Sequence, residues 1–160
     1  MPIETPNHAP QTNRDQADRA KQGIRVFSGL GQRDLLASDR IETADSGWRM
    51  LIRNPWYTGT HLSTVSSMEI EVNGHAVPAE NTLLSLRGQT IPIAHAKTMH
   101  ELWWGMGEVA EVLLTDPALG GVFADKNVVH VDIDMRTTFS YGFPDDTLPY
   151  RLTVEMEFEK

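Results

Sequence analysis

Cysteine does not occur in the 160 residues. Its absence removes disulfide frameworks, thiolate zinc sites and cysteine nucleophiles together. Basic residues are sparse too: 14 Lys and Arg stand against 22 Asp and Glu, a net charge of −8. An acidic surface repels phosphate backbones, and no Lys/Arg-dense stretch offsets it, so no nucleic acid is expected as a partner. No apolar run approaches the roughly 20 residues that a membrane-spanning helix needs. The first ten residues lack the basic-then-apolar order of a secretory signal, and a cytoplasmic location is the default expectation. Catalytic signatures are missing as well. There is no G-x-S-x-G elbow, no supported S-x-x-K, no G-x-G-x-x-G after a strand and no phosphate loop.

What is present is a globular composition, 40% hydrophobic and 22% charged, in a length suited to one domain with a self-sufficient core. Residues 1–23 stand apart. They carry Pro2, Pro6 and Pro10 among polar residues, and such a segment has too little apolar surface to offset its ordering entropy. A disordered N-terminal tail followed by a single domain over residues 24–160 is the expected organisation.

Within that domain the apolar period is two. Ile24–Phe27 is a candidate first strand, a second is expected within Leu35–Thr43, and Trp48, Met50 and Ile52 share one face against Arg49 and Arg53. Met68, Ile70 and Val72 alternate with Glu69 and Glu71 before Asn73-Gly74, a strong hairpin signal. The return strand is expected at Thr82–Arg87, with another near Glu108–Leu114. Val129, Val131, Ile133 and Met135 form the clearest one-sided run, continuing in phase to Phe139 and Tyr141. The last run puts Tyr150, Leu152, Val154, Met156 and Phe158 opposite Arg151, Thr153, Glu155, Glu157 and Glu159. Such alternation predicts strands with one buried and one wet face. Seven or eight of them read as an all-β, antiparallel β-sandwich of immunoglobulin-like or jelly-roll-like kind. One short helical turn is expected at Met99–Leu102, opened by Thr98 and Glu101 as a capping box. Gly120-Gly121, after Asp116-Pro117, reads as a turn.

Two constellations bear on chemistry. His130, Asp132 and Asp134 share the polar face of one strand. Alternate residues there are about 6.6–7 Å apart, too far to converge on one ion without a neighbouring strand, so a solvated face is preferred to a metal site. His75, beside Asn73-Gly74, reads as an exposed turn residue. The second constellation is the segment Arg53-Asn54-Pro55-Trp56-Tyr57-Thr58-Gly59, in which proline ends a strand and two aromatics follow in a loop. Arginine and aromatics concentrate at interface hot spots, so Arg53, Trp56 and Tyr57 are candidate contact residues. A cap on the open end of the core explains the same two rings.

The stretch Gly47-Trp48-Arg49-Met50-Leu51-Ile52-Arg53-Asn54-Pro55-Trp56-Tyr57-Thr58-Gly59 resembles the small β subunits of bacterial C-glycoside deglycosidases. In that family a Gly-aromatic start leads into an Arg-x-Pro-Tyr-Tyr segment. Val72-Asn73-Gly74, Glu101-Leu102, Trp104-Gly105, Gly120-Gly121 and the strand ending in Arg136 follow in the family's order, and the likeness covers about residues 35–143. Trp56 replaces the usual first tyrosine, and Thr58 lies where arginine is expected. The resemblance implies a non-catalytic β-sandwich subunit docked on a TIM-barrel α subunit, as a hetero-oligomer of αβ units. It implies that the pair cleaves the C–C glycosidic bond of 3-oxo-C-glycosides, flavonoid C-glycosides among their parents, as a lyase. The base and a divalent metal, Mn2+, belong to the α subunit, with no cofactor and no catalytic residue in this chain. Arg53, Trp56 and Tyr57 would contact substrate or the α subunit. The alternative is a free-standing carbohydrate-binding sandwich using Trp56, Tyr57, Trp103 and Trp104. A stand-alone metal enzyme built on His130, Asp132 and Asp134 ranks last.

Overall fold

The computed structural model describes residues 25–27, 35–54, 59–136 and 150–160. The N-terminal tail, and Phe139 and Tyr141, lie outside the described residues. Twelve strands are described, β1 (Arg25–Phe27), β2 (Glu42–Ala44), β3 (Gly47–Arg53), β4 (Thr60–His61), β5 (Val65–Val72), β6 (His75–Ala76), β7 (Thr82–Leu86), β8 (Gln89–Pro92), β9 (Trp103–Trp104), β10 (Val109–Leu114), β11 (Lys126–Met135) and β12 (Tyr150–Glu159). They form a five-stranded sheet in the order β1-β12-β11-β5-β6, a second in the order β2-β3-β10-β7-β8, and the small pair β4-β9. Every pairing is antiparallel except β1 with β12.

The two large sheets are held face to face by the residues whose alternation marks them in the sequence. Met68, Ile70 and Val72 of β5, Val129, Val131, Ile133 and Met135 of β11, and Leu152, Val154 and Met156 of β12 form one wall. Met50 and Ile52 of β3, Leu84 and Leu86 of β7, and Ala110, Val112 and Leu114 of β10 form the other. These are all buried in one continuous cluster, so the fold is an all-β sandwich. No described helix is long and apolar enough to cross a membrane.

Four local expectations need correction. The strand that returns from Asn73-Gly74 is β6, not residues 82–87. Asn73 (φ 49°) and Gly74 (φ 81°) supply the positive-φ pair that a tight hairpin needs. Pro78 and the 3₁₀ turn Ala79–Asn81 then carry the chain into the other sheet, where Thr82–Leu86 pairs with β10. The strand expected within Leu35–Thr43 is confined to its end and runs past it, as β2 (Glu42–Ala44), while Leu36 makes only an isolated bridge to Ile52. The helical turn lies at Ile93–Thr98, before the expected site. The Thr98 hydroxyl donates backward to the His95 carbonyl (2.8 Å) and closes that turn instead of capping a new one. Finally, Gly120-Gly121 lies within a short helix, Leu119–Val122.

Candidate functional site

Arg53 closes β3, opposite Val109 at the start of β10, and the chain beyond it is anchored by Asn54. That side chain is buried at 2% exposure. Its backbone N–H donates to the Glu108 carbonyl (3.0 Å), and its Nδ2 donates to the carbonyls of Trp104 (2.9 Å) and Gly105 (3.1 Å). One asparagine thus ties the end of β3 to the turn between β9 and β10.

The turn, residues 105–108, is closed by Glu108 N–H donating to the Gly105 carbonyl (3.0 Å), with Gly107 at φ 68°. The Glu108 carboxylate accepts from the Gly105 N–H (2.6 Å) and from the Arg87 guanidinium, which also donates to the Trp103 carbonyl. Trp104 lies in the core at 0% exposure, its indole N–H donating to the Glu108 carbonyl (2.9 Å).

Trp103 points the other way, as strand alternation requires. It is 46% exposed but not loose. A Cβ on Gly59 would lie 2.5 Å from its indole, so the ring occupies the space that glycine leaves. The His61 ring meets it edge-on, with centroids 5.0 Å apart and planes at 88°. Met106, at the tip of the turn (67%), and Val109 (41%) share this end. Among the described residues, three of the four exposed large hydrophobic side chains therefore fall within residues 103–109; the fourth, Val128, is on β11. Arg53 is half-buried beside them and has no ion-pair partner among the described residues. Trp56 and Tyr57 lie outside the described residues. Trp103 is legible in the sequence as an aromatic candidate; Met106 and Val109 are less so, their one signal being a methionine between two glycines, which marks an exposed tip.

A second polar cluster corrects the reading of His130, Asp132, Asp134 and Arg151 as a wet face. Asp132 and Asp134 are 6% exposed and Arg151 is 7%. Arg151 Nε and Nη2 donate to the two oxygens of Asp134 (2.5 and 2.6 Å), and Nη1 reaches Asp132 (3.2 Å). Ser67 donates to Asp134 (2.8 Å) and Thr153 to Asp132 (2.6 Å). The guanidinium occupies the place between the carboxylates that a cation would take. No group of three or more metal-ligating side chains occurs among the described residues. Burial pulls the Arg151 pKa down, but its hydrogen bonds to Asp134 and the charges of Asp134, Asp132 and Glu69 raise it overall, keeping it ionised. His130 lies beside Asp132 (3.4 Å) and Glu155 (3.8 Å). Its pKa is raised, first by the hydrogen bond to Asp132, against burial, with the charges of Asp132, Glu155 and Glu71 adding.

His75 is not a free turn residue. Its Nε2 meets Asp116 Oδ2 at 2.7 Å, and Asp116 also accepts from the Ala118 N–H (3.0 Å). These bonds, the one to His75 foremost, lower the Asp116 pKa. The pair pins the β5–β6 hairpin to the loop after β10.

Fold and geometry define the class first: a β-sandwich with its buried charges paired to each other and one end that exposes apolar side chains on a hydrogen-bonded turn. The family follows from comparison. The C-glycoside deglycosidase beta subunit family matches over residues 32–141, more than half of the chain, and the chain belongs to that family. The name implies a multi-subunit enzyme with an alpha partner. No match was found among curated proteins.

Proposed function

We propose that this chain is the non-catalytic β subunit of a heteromeric lyase that cleaves the C–C glycosidic bond of 3-oxo-C-glycosides. Family membership is the observation that carries the reading. The chemistry explains why two subunits suit the task. A C-glycoside has no leaving oxygen to protonate, so the usual two-carboxylate hydrolysis does not apply. In a 3-oxo sugar the ketone acidifies the C2–H; a base removes that proton, a C1=C2 double bond forms as the C1–aglycone bond breaks, and the departing aglycone carbon takes up a proton. Base and divalent metal, Mn2+, belong to a TIM-barrel α subunit. This chain's described residues do not suit that metal, because Arg151 already lies between Asp132 and Asp134.

The β subunit's part is to dock and to shape the shared site, with Arg53, Trp56 and Tyr57 at the contact. The alternative, a free-standing carbohydrate-binding module, loses one of its four aromatic residues, since Trp104 is fully buried. Co-expression with a sugar-isomerase-like barrel tests the reading: stoichiometric co-purification and aglycone release by the complex are expected. A chain that purifies alone, and adds nothing to the barrel's activity, contradicts it.

A further inference from the structure

We infer that Trp103, Met106, Val109 and Arg53 form the anchor by which this chain binds the catalytic α subunit; the inference rests on the β-subunit reading above. The partner surface that fits is an apolar pocket bordered by a carboxylate. The pocket receives Trp103 and Met106, and the carboxylate meets Arg53. Three observations lead here. Among the described residues, the exposed large hydrophobic side chains concentrate at residues 103–109 rather than scattering over the sheets. Single exposed hydrophobic residues are ordinary, whereas clusters mark contact surfaces.

Trp103 is also held before any partner arrives. Gly59 leaves room for its ring, His61 meets its edge, and Arg87 donates to its carbonyl. An aromatic side chain already fixed in one orientation loses little entropy on docking, which is the property of an interface anchor. The turn that carries Met106 is braced in the same way by Glu108 and Asn54. Charge points the same way. On a chain of net charge −8, Arg53 is a half-buried cation with no ionic partner among the described residues, next to Val109. Arg87, close by, is already paired with Glu108. A carboxylate across the interface would complete Arg53.

The test measures affinity of the purified chain for the purified barrel subunit, with the melting temperature of each variant taken beside it. Trp103→Ala and Met106→Asp are each expected to weaken binding by at least about thirtyfold. Arg53→Ala is expected to weaken it with a loss of salt dependence. Val128→Ser, which removes the exposed apolar side chain outside the cluster, is expected to bind as wild type. Met106 stands at the tip of a turn, so its variant stays informative if Trp103→Ala melts early. Wild-type affinity in Met106→Asp and Trp103→Ala overturns the anchor while leaving the subunit reading intact. A wild-type chain that does not bind the barrel at all overturns the subunit reading itself. Two other outcomes also overturn the anchor: a homodimer of the free chain that Trp103→Ala dissociates, or glycoside binding by the free chain that it abolishes.

Discussion

Arg151 stands directly across the β11–β12 ladder from Asp134 and takes both of its carboxylate oxygens, at 2.5 and 2.6 Å. This fork is the strongest form of carboxylate recognition available to a side chain. It places a charge cluster, buried with Asp132, on the face of the sheet turned away from the sandwich core.

Removing only the cation should therefore be severe. Arg151→Met leaves Asp132 and Asp134 as like charges with little water, and breaking a buried pair from one side typically costs about 3–5 kcal/mol. Denaturant unfolding should show a loss of that order. A change below about 1 kcal/mol would mean that the cluster is hydrated in solution.

His130 should make stability depend on pH in the opposite sense from a carboxylate. Its folded-state pKa is raised from 6.5, so its contribution is full below 6.5 and fades as the pH rises through the folded value. Melting of wild type and His130→Asn should differ most in mildly acidic buffer and converge in alkaline buffer. Equal differences at both ends would remove the Asp132 contact as a source of stability.

Asp116 supplies the carboxylate case. Its pKa is lowered from 3.8 by the bond to His75; its contribution is therefore present above 3.8 and lost as the pH falls through the lower folded value. Asp116→Asn should lower the melting temperature near neutrality, and the gap to wild type should close in strong acid. A gap that persists there would show that the ionised carboxylate is not what holds the β5–β6 hairpin to the loop.

The fit of Trp103 against Gly59 can be tested by adding one methyl group. Gly59→Ala places a methyl group where the indole lies, 2.5 Å from its ring atoms, so the ring must leave the orientation that Gly59 and His61 hold it in. Stability should change by no more than about the 1–3 kcal/mol of overpacking, while affinity for the α subunit should fall at least about tenfold. Tryptophan emission should shift with it. Unaltered affinity would show that the ring's orientation is irrelevant to docking.

The sequence was most legible where one strand face meets the core. Val129, Val131, Ile133 and Met135 alternate with polar neighbours, and all four are buried. Arg151, Asp132 and Asp134 could not be placed in the same way. Alternation assigns them to the outer face but cannot say whether that face is wet, because their burial depends on residues distant in sequence. Trp103 and Trp104 show both sides of the same limit: the period of two places them on opposite faces, yet only the pairing of β4 with β9 and the bond from Trp104 to Glu108 decide which one enters the core. Thr98 misled because a hydroxyl can donate backward along a turn as readily as it can cap one forward. Arg53 stands out in the sequence as a contact residue, but only the β3–β10 register places it beside Val109.

The most direct measurement of the central claim is reconstitution. Purified barrel subunit, purified chain and their equimolar mixture are each given a 3-oxo-C-glycoside, and release of the free aglycone is followed. The account predicts activity in the mixture, none in this chain alone and little in the barrel alone, with the gain saturating at one chain per barrel. Full activity of the barrel without this chain, or any cleavage by this chain by itself, would contradict it.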